Sequence, residues 1–567
     1  MNDMPWLESY PPGVRWDLSI QPMPVQQLLA DAAAAWPDNA ALQFMGRRIN
    51  YRELDALASR AAKGLQQLGV KPGVHVGLFL QNTPHYLIAL FGIWKAGGTA
   101  VNYSPLDAAK VLEHKIEDSR TDVLITLDMA ALYPQMAGML GKTRLKKLVV
   151  GNLAEMSAAP DKVAAQMKAE KQTVEVAEDD RHLSFAALLD NDGKYTPYPI
   201  ADAKESLALL QYTGGTTGLP KGAMLTHANL WSAVAQVIEA CNVTPPLWQV
   251  GQERLLAVLP PFHIYALTVN MLLGVRLAAE VIQHTRFDPK AALADVSGQQ
   301  VTVFCGVPTM FTALVNDPDT PKHDLHSLKF CNSGGAPLPV ELCNRFSEVT
   351  GTRLVEGWGM TETSPTGTFT PMVGQRKPGS CGIPHPGVTI KMLDLNDPTK
   401  YVAPGEKGEM CIKGPNVMKG YWNKPEATAE SMTFDGLFRT GDVATMDEDG
   451  FIFIVDRTKD MLLCSGYNVY PRVLEEVIYQ HPAVREVAVI GIPDEYRGQS
   501  PKAVVALKAG AKPFTLKEFQ EFLKDKLGKH EMVQALEIRE ELPKTPVGKI
   551  SKKDLVDEEA RKRAAQA

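Results

Sequence analysis

Apolar residues recur at two spacings along this chain, and the spacing changes with position. Leu54, Leu57, Ala58, Ala61, Leu65 and Leu68 fall on one face of a helix, with Lys and Arg between them. The next run, 74–80, is mostly apolar and predicts a buried strand. A helix over 85–95, a strand over 99–102, a helix over 109–118 and a strand over 122–126 follow. Helices and strands in alternation predict an α/β fold in which mostly parallel sheets are covered by helices. From Gly405 the pattern shortens to β segments and turns, at 408–413 and 450–456. Beyond Asp456 it becomes a compact α+β unit. Leu474, Val477 and Ile478 mark a helix, 487–492 and 503–507 mark strands, and Leu516, Phe519, Phe522, Leu523 and Leu527 mark a second helix. The charged run from Arg457 to Asp460 separates two apolar blocks. The predicted layout is therefore a large domain over 1–456 with a β-rich part at about 370–456, a connection at 457–460, and a small domain over 461–567.

Composition narrows this picture. A chain of 567 residues exceeds one ordinary core, and 45% apolar with 22% charged residues describes a globular protein. A net charge of −6 gives no support for nucleic acid or an anionic membrane as a main partner, so any field that holds an anion is local. Seven cysteines without a CxxC pair read as reduced thiols, and with no apolar leader the expected location is cytoplasmic. Residues 255–275 carry no formal charge over a length that could cross a bilayer. Pro260, Pro261, His263, Thr268 and Asn270 interrupt them, and the prediction is a buried strand, a proline loop and a buried helix.

The chemistry concentrates at 211–222, Gln-Tyr-Thr-Gly-Gly-Thr-Thr-Gly-Leu-Pro-Lys-Gly. Gly214, Gly215 and Gly218 let the backbone approach a ligand, and successive N–H groups can turn inward on an anion. Thr213, Thr216 and Thr217 add hydroxyl donors, and Lys221 adds a movable positive charge. Gly222 stands where a Walker A loop needs Ser or Thr, so this is a polyphosphate loop of another kind. A second run, Glu356-Gly-Trp-Gly-Met-Thr-Glu-Thr, sets Trp358 between Gly357 and Gly359 as a platform for a base. Thr361 adds a hydroxyl there, and Glu362 a hard oxygen suited to the magnesium that accompanies ATP.

These runs resemble the signatures of the acyl-adenylate-forming superfamily, and the likeness recurs along nearly the whole chain. It implies that Gly334, Gly335 and Ala336, in Asn-Ser-Gly-Gly-Ala-Pro-Leu, line the adenine site. It implies a ribose contact for Asp442 in Phe-Arg-Thr-Gly-Asp, with Arg457 as a second ribose or phosphate contact. Lys549, in Pro-Lys-Thr-Pro-Val-Gly-Lys-Ile, matches the family's catalytic lysine. Gly466 matches the coenzyme A tunnel, Lys459 and Asp460 the hinge, and His263, Gly306 and Gly334 the acyl site. The family usually has tyrosine where this chain has Trp358, which keeps a stacking face and loses a phenol.

The C-terminal third most resembles bacterial long-chain fatty acyl-CoA synthetases. The implied reaction joins a carboxylic acid to coenzyme A through acyl-AMP, with ATP and magnesium. Activation of a dicarboxylic or aryl acid stays open, as does, further off, a nucleotide-binding scaffold without turnover. A fatty acid substrate would bring peripheral contact with the inner face of a membrane, and a monomer or a homodimer is expected. No Gly-x-Ser-x-Gly elbow is present, and His323 and His326 lack a third ligand for a metal.

Overall fold

The computed structural model describes residues 4–213, 220–336, 338–465, 467–494, 496–545 and 549–564. The chain divides into two compact units, Met1–Thr389 with Lys413–Glu430, and Ile390–Ile412 with Ser431–Ala567.

Two seven-stranded sheets organise the first unit. One runs Leu354–Glu356, Phe330–Ser333, Val303–Gly306, Arg254–Ala257, Glu280–Gln283, Ala40–Phe44 and Arg47–Asn50, and only its last pair is antiparallel. The other runs His182–Ser184, Lys147–Gly151, Thr121–Leu127, His75–Leu78, Thr99–Asn102, Leu207–Tyr212 and Gly222–Thr226, again antiparallel only at the end. Helices Tyr51–Gln67, Pro84–Lys95 and Ala109–Asp118 lie where the periodicity predicts them. The helix Pro84–Lys95 is buried throughout, which is why its sequence carries no polar face.

The uncharged stretch at 255–275 resolves as expected. The strand Arg254–Ala257 ends before the proline pair, and helical turns then run from Ile264 to Arg276, with a π-helical segment at Leu267–Leu272. No described helix is long and apolar enough to cross a membrane. The seven cysteines are free thiols, and six of them are buried.

The second unit carries two smaller sheets. One orders Thr389–Leu393, Gly408–Lys413, Phe438–Met446 and Ile452–Arg457. The other orders Tyr467–Val469, Leu462–Cys464, Gly498–Leu507 and Val484–Asp494, and Ala535–Arg539 adds in parallel to Gly498–Leu507. Alternation along its two long strands splits the core. Val487, Val489, Ala503 and Val505 pack with Leu474, Ile478, Phe519 and Leu523 of two helices. Their neighbours Ala488, Ile490, Val504 and Ala506 pack with Leu542, Ile550 and Leu555. The turn Thr458–Asp460 lies inside this second unit.

Candidate active site

In the first unit two paired antiparallel strands, Leu207–Tyr212 and Gly222–Thr226, flank the glycine- and threonine-rich run in sequence. Tyr212 pairs with Gly222, and the Thr213 N–H donates to the Lys221 carbonyl at 2.9 Å. Gly214, Gly215, Thr216, Thr217 and Gly218 lie outside the described residues. The second leg is held on its far edge as well. Met224 N–H donates to Gly420 O at 2.9 Å, Lys419 N–H to Met224 O at 3.0 Å, and Trp422 N–H to Gly222 O at 2.8 Å.

That added rung delivers Tyr421. The exposed Lys221 holds its Nζ 4.9 Å from the centre of the Tyr421 ring, and the Tyr421 hydroxyl donates to Glu362 Oε1 at 2.8 Å. Burial, and then the Glu362 charge, raise the Tyr421 pKa, so the phenol stays a neutral donor. Glu362 is 5% exposed, in the 3-10 turn Thr361–Thr363, and its carbonyl accepts the Met418 N–H at 2.8 Å. Sequence reasoning missed Tyr421, because nothing local marks a tyrosine whose partner is 59 positions away.

The adenine and acyl candidates follow the carboxyl ends of parallel strands, where open α/β sheets bind ligands. Gly306 ends one strand and Gly334 follows its neighbour, and the Gly334 N–H donates to Gly306 O at 3.1 Å. Both glycines face aromatic rings. A Cβ on Gly334 would lie 2.9 Å from Tyr265 Cζ, and one on Gly306 would lie 3.1 Å from Phe311 Cε2. The Tyr265 hydroxyl donates to Asn332 Oδ1 at 2.5 Å, and His263 Nδ1 accepts the Tyr265 N–H at 3.2 Å. His263 and Gly334 thus both contact Tyr265, a residue the sequence reading did not single out, and Gly306 joins them through its carbonyl on the Gly334 N–H. Gly335 takes φ +80°, the left-handed region glycine favours, and Ala336 follows it half-buried.

Gly357, Trp358 and Gly359 leave the strand Leu354–Glu356. The Trp358 N–H donates to Thr368 Oγ1 at 3.1 Å, and its carbonyl accepts the Thr368 N–H at 2.9 Å. One part of the ring lies on Gly367, where a Cβ would come within 2.4 Å of Cε3. At Gly359 a Cβ would fall 1.3 Å from the Pro365 carbonyl oxygen, so only glycine fits that turn.

The second unit gathers four charged candidates. Asp442 is buried in the strand Phe438–Met446 opposite Arg457, whose Nε lies 2.8 Å from Asp442 Oδ1. The aspartate N–H donates to Thr440 Oγ1 at 3.1 Å. Lys549 is half-buried near this pair; burial first and the Arg457 charge second pull its pKa down to about 8, against an opposing pull from Asp442. Burial and Arg457 likewise lower Lys459, which sits in the turn closed by the Asp460 N–H on Arg457 O at 3.0 Å. Gly466 lies outside the described residues.

The family model described as AMP-binding enzyme matches residues 29–422, and that of the AMP-binding enzyme C-terminal domain matches 473–549. A Bacillus subtilis (strain 168) protein named long-chain-fatty-acid–CoA ligase is 38% identical over 561 residues, 98% of this chain and 98% of its own. The structure of ATP-bound MatB from Rhodopseudomonas palustris superimposes with a TM-score of 0.82 at 28% identity, over 94% of this chain and 99% of that one. The anthranilate CoA ligase AuaEII, in complex with anthranoyl-AMP, gives 0.83 at 25% identity, over 97% and 99%.

Proposed function

Because the chain belongs to the AMP-binding enzyme family, we propose that it is an AMP-forming acid–CoA ligase acting on a medium- or long-chain fatty acid. The observation that carries the reading is a divided constellation of the required types. Lys221 stands over Tyr421, which bonds the buried Glu362, and a separate Asp442–Arg457–Lys549 cluster stands in the second unit. The full-length likeness to a fatty acid–CoA ligase selects the acid.

In the first half-reaction a carboxylate oxygen attacks the α-phosphorus of ATP. The bond from that phosphorus to the bridging oxygen breaks, leaving acyl-AMP and pyrophosphate. Charge moves over phosphate oxygens, so fixed donors and cations dominate. The N–H groups of the glycine-rich run, Thr213 and Lys221 hold the phosphates, and Trp358 with the Gly334–Ala336 turn holds the base. Asp442 accepts the ribose hydroxyls, oriented by Arg457. Lys549 spans the carboxylate and the α-phosphate. In the second half-reaction the thiol sulfur of coenzyme A attacks the acyl carbonyl, loses its proton to solvent and expels AMP. No side-chain nucleophile is needed for either step.

Magnesium fits the residues present. Among the described residues no group of three or more His, Cys, Asp or Glu could hold a metal alone, so the ion would be shared between the nucleotide and one buried carboxylate, Glu362. When bound, it offsets phosphate charge. The turn bearing Lys459 and Asp460 is proposed as the hinge that exchanges the Lys549 loop for the Gly466 segment between half-reactions, with 461–567 as the moving part.

The test is product analysis with saturated fatty acids of rising length beside benzoate and succinate. Pyrophosphate should form only with acid, ATP and magnesium present, and AMP and thioester only with coenzyme A added. Each methylene that finds the pocket should raise kcat/KM about fourfold, from about 0.8 kcal/mol of burial. ADP as product would end the adenylate reading, and benzoate or succinate as the best acid would reassign the substrate.

A further inference from the structure

The loop that carries Lys549 is fastened at both legs by lysine–glutamate pairs. On the ingoing leg Lys544 Nζ lies 2.7 Å from Glu486 Oε1, on the strand Val484–Asp494. On the outgoing leg Lys552 Nζ lies 2.9 Å from Glu475 Oε1, on the helix Pro471–Tyr479. Between them Lys544 bridges Ile550, and the Ser551 N–H donates to Pro543 O at 2.7 Å. Leu542, Ile550 and Leu555 press these legs onto the sheet, but apolar contact has no direction of its own. The ion pairs supply the direction.

The two pairs differ in reach. Glu475 Oε1 also accepts the Val489 N–H at 2.7 Å, so the carboxylate facing Lys552 is itself fixed to the sheet. The Lys552 side chain is 25% exposed, and Asp456 and Asp460 join Glu475 in stabilising its charge. Asp456 accepts the N–H groups of Arg457 at 2.7 Å and Arg472 at 2.8 Å, tying the strand before the turn to the first turn of the helix. Lys552 therefore sits where the lysine loop meets that helix.

We propose that Lys552 is a positioning residue for Lys549, aiming the loop through Glu475. The proposal rests on the assignment of Lys549 to adenylate formation. An ammonium displaced by about 1 Å from its place on a substrate can lose as much as 10²-fold in rate. Lys552 should therefore matter to the step Lys549 serves and to no other.

The test measures both half-reactions in the full-length enzyme, with thioester formation started from presynthesised acyl-AMP. Lys552→Met should lower kcat for adenylation by about tenfold to a hundredfold, with KM for ATP and thioester formation nearly unchanged. Lys552→Arg should restore most of the loss. Glu475→Gln keeps an oxygen for the Val489 N–H while removing the charge, and should reproduce the defect even if Lys552→Met folds poorly. The double variant Lys549→Ala with Lys552→Met should be no slower than Lys549→Ala alone, since one residue acts through the other. Multiplying defects in the double variant, equal losses in both half-reactions, or normal adenylation in both Lys552→Met and Glu475→Gln would overturn the proposal while Lys549→Ala stays slow. Normal adenylation by Lys549→Ala would remove the catalytic assignment itself, and the positioning role with it.

Discussion

The two units build their candidate residues by different means. In the first, Gly306, Gly334 and Gly357–Gly359 follow parallel strands, and strand order alone brings them to one edge of the sheet. What matters there is backbone shape and the absence of side chains. In the second, Asp442 sits mid-strand, Lys459 in a turn and Lys549 on a loop closed by a single isolated bridge. Strand register sets Asp442 opposite Arg457, joined at 2.8 Å, and lysine–glutamate pairs fasten the loop that carries Lys549. One half is exposed to added volume, the other to lost charge.

The sharpest way to break that comparison is to add one methyl group in the first unit. Gly359→Ala would place a Cβ 1.3 Å from the Pro365 carbonyl, a backbone atom that cannot turn aside. The turn must rebuild, and we expect no measurable adenylation together with a clear fall in Tm. Gly298→Ala is the control, since a Cβ there meets nothing within 4 Å and the site lies in the helix Pro289–Gln299. It should leave activity intact and hold or raise Tm. A Gly359→Ala enzyme with normal ATP affinity and Tm would show that the turn does not build the site.

The matching charge deletion comes next in size. Lys549→Ala should slow adenylation by about 10²–10³ and leave Tm nearly unchanged, because a half-buried loop lysine packs little. Thioester formation from presynthesised acyl-AMP should be spared. Equal loss in both half-reactions would place the lysine at both steps, and normal acyl-AMP formation would make it inert.

What the sequence disclosed divides along the same line. Helix and strand periodicity located the parallel sheets, because strands buried on both faces read as mostly apolar runs such as 74–80. Glycine-rich segments were legible for the same reason: a glycine that contacts a ring or a carbonyl leaves a mark in the sequence. Side-chain pairings left none. Tyr421 lies far from Glu362 in the chain and looks like an ordinary aromatic, and Tyr265 looks like core beside His263. Charged residues such as Glu475 and Lys552 read as solvated helix faces until the fold brings them together. The strands at 390–412 and 431–457, expected within the large domain, group with the C-terminal residues by contact. Their short β texture carries no signal of which neighbour they join.

Tyr421 tests the comparison from within the first unit, since it is a side-chain contact in a backbone-built site. Tyr421→Phe removes one hydrogen bond to the buried Glu362 and keeps the ring beneath Lys221. A hydrogen bond to a charged group contributes about 1.5–3 kcal/mol, and we expect adenylation to slow by about tenfold to a hundredfold. The magnesium concentration for half-maximal rate should rise as well. A normal rate at every magnesium concentration would mean that Glu362 is held without the phenol.

The mildest probe changes no residue. Lys549 has a pKa drawn down to about 8 from 10.5, first by burial and then by Arg457, and the proposed role needs its ammonium form. The pH profile of kcat/KM reports the free enzyme. That parameter for adenylation should therefore be halved near pH 8 and fall about tenfold for each further unit. Stability moves the other way. Between about 8 and 10.5 the unfolded chain keeps the lysine proton that the folded chain has released, so this residue's contribution to stability rises with pH across that window. Activity lost there cannot then be assigned to unfolding driven by this group. Arginine keeps its charge throughout, so Lys549→Arg should run slower but show a flat profile over the same range. A limb that survives in Lys549→Arg belongs to another group, and a wild-type profile flat through pH 9.5 would mean that the ammonium is not required.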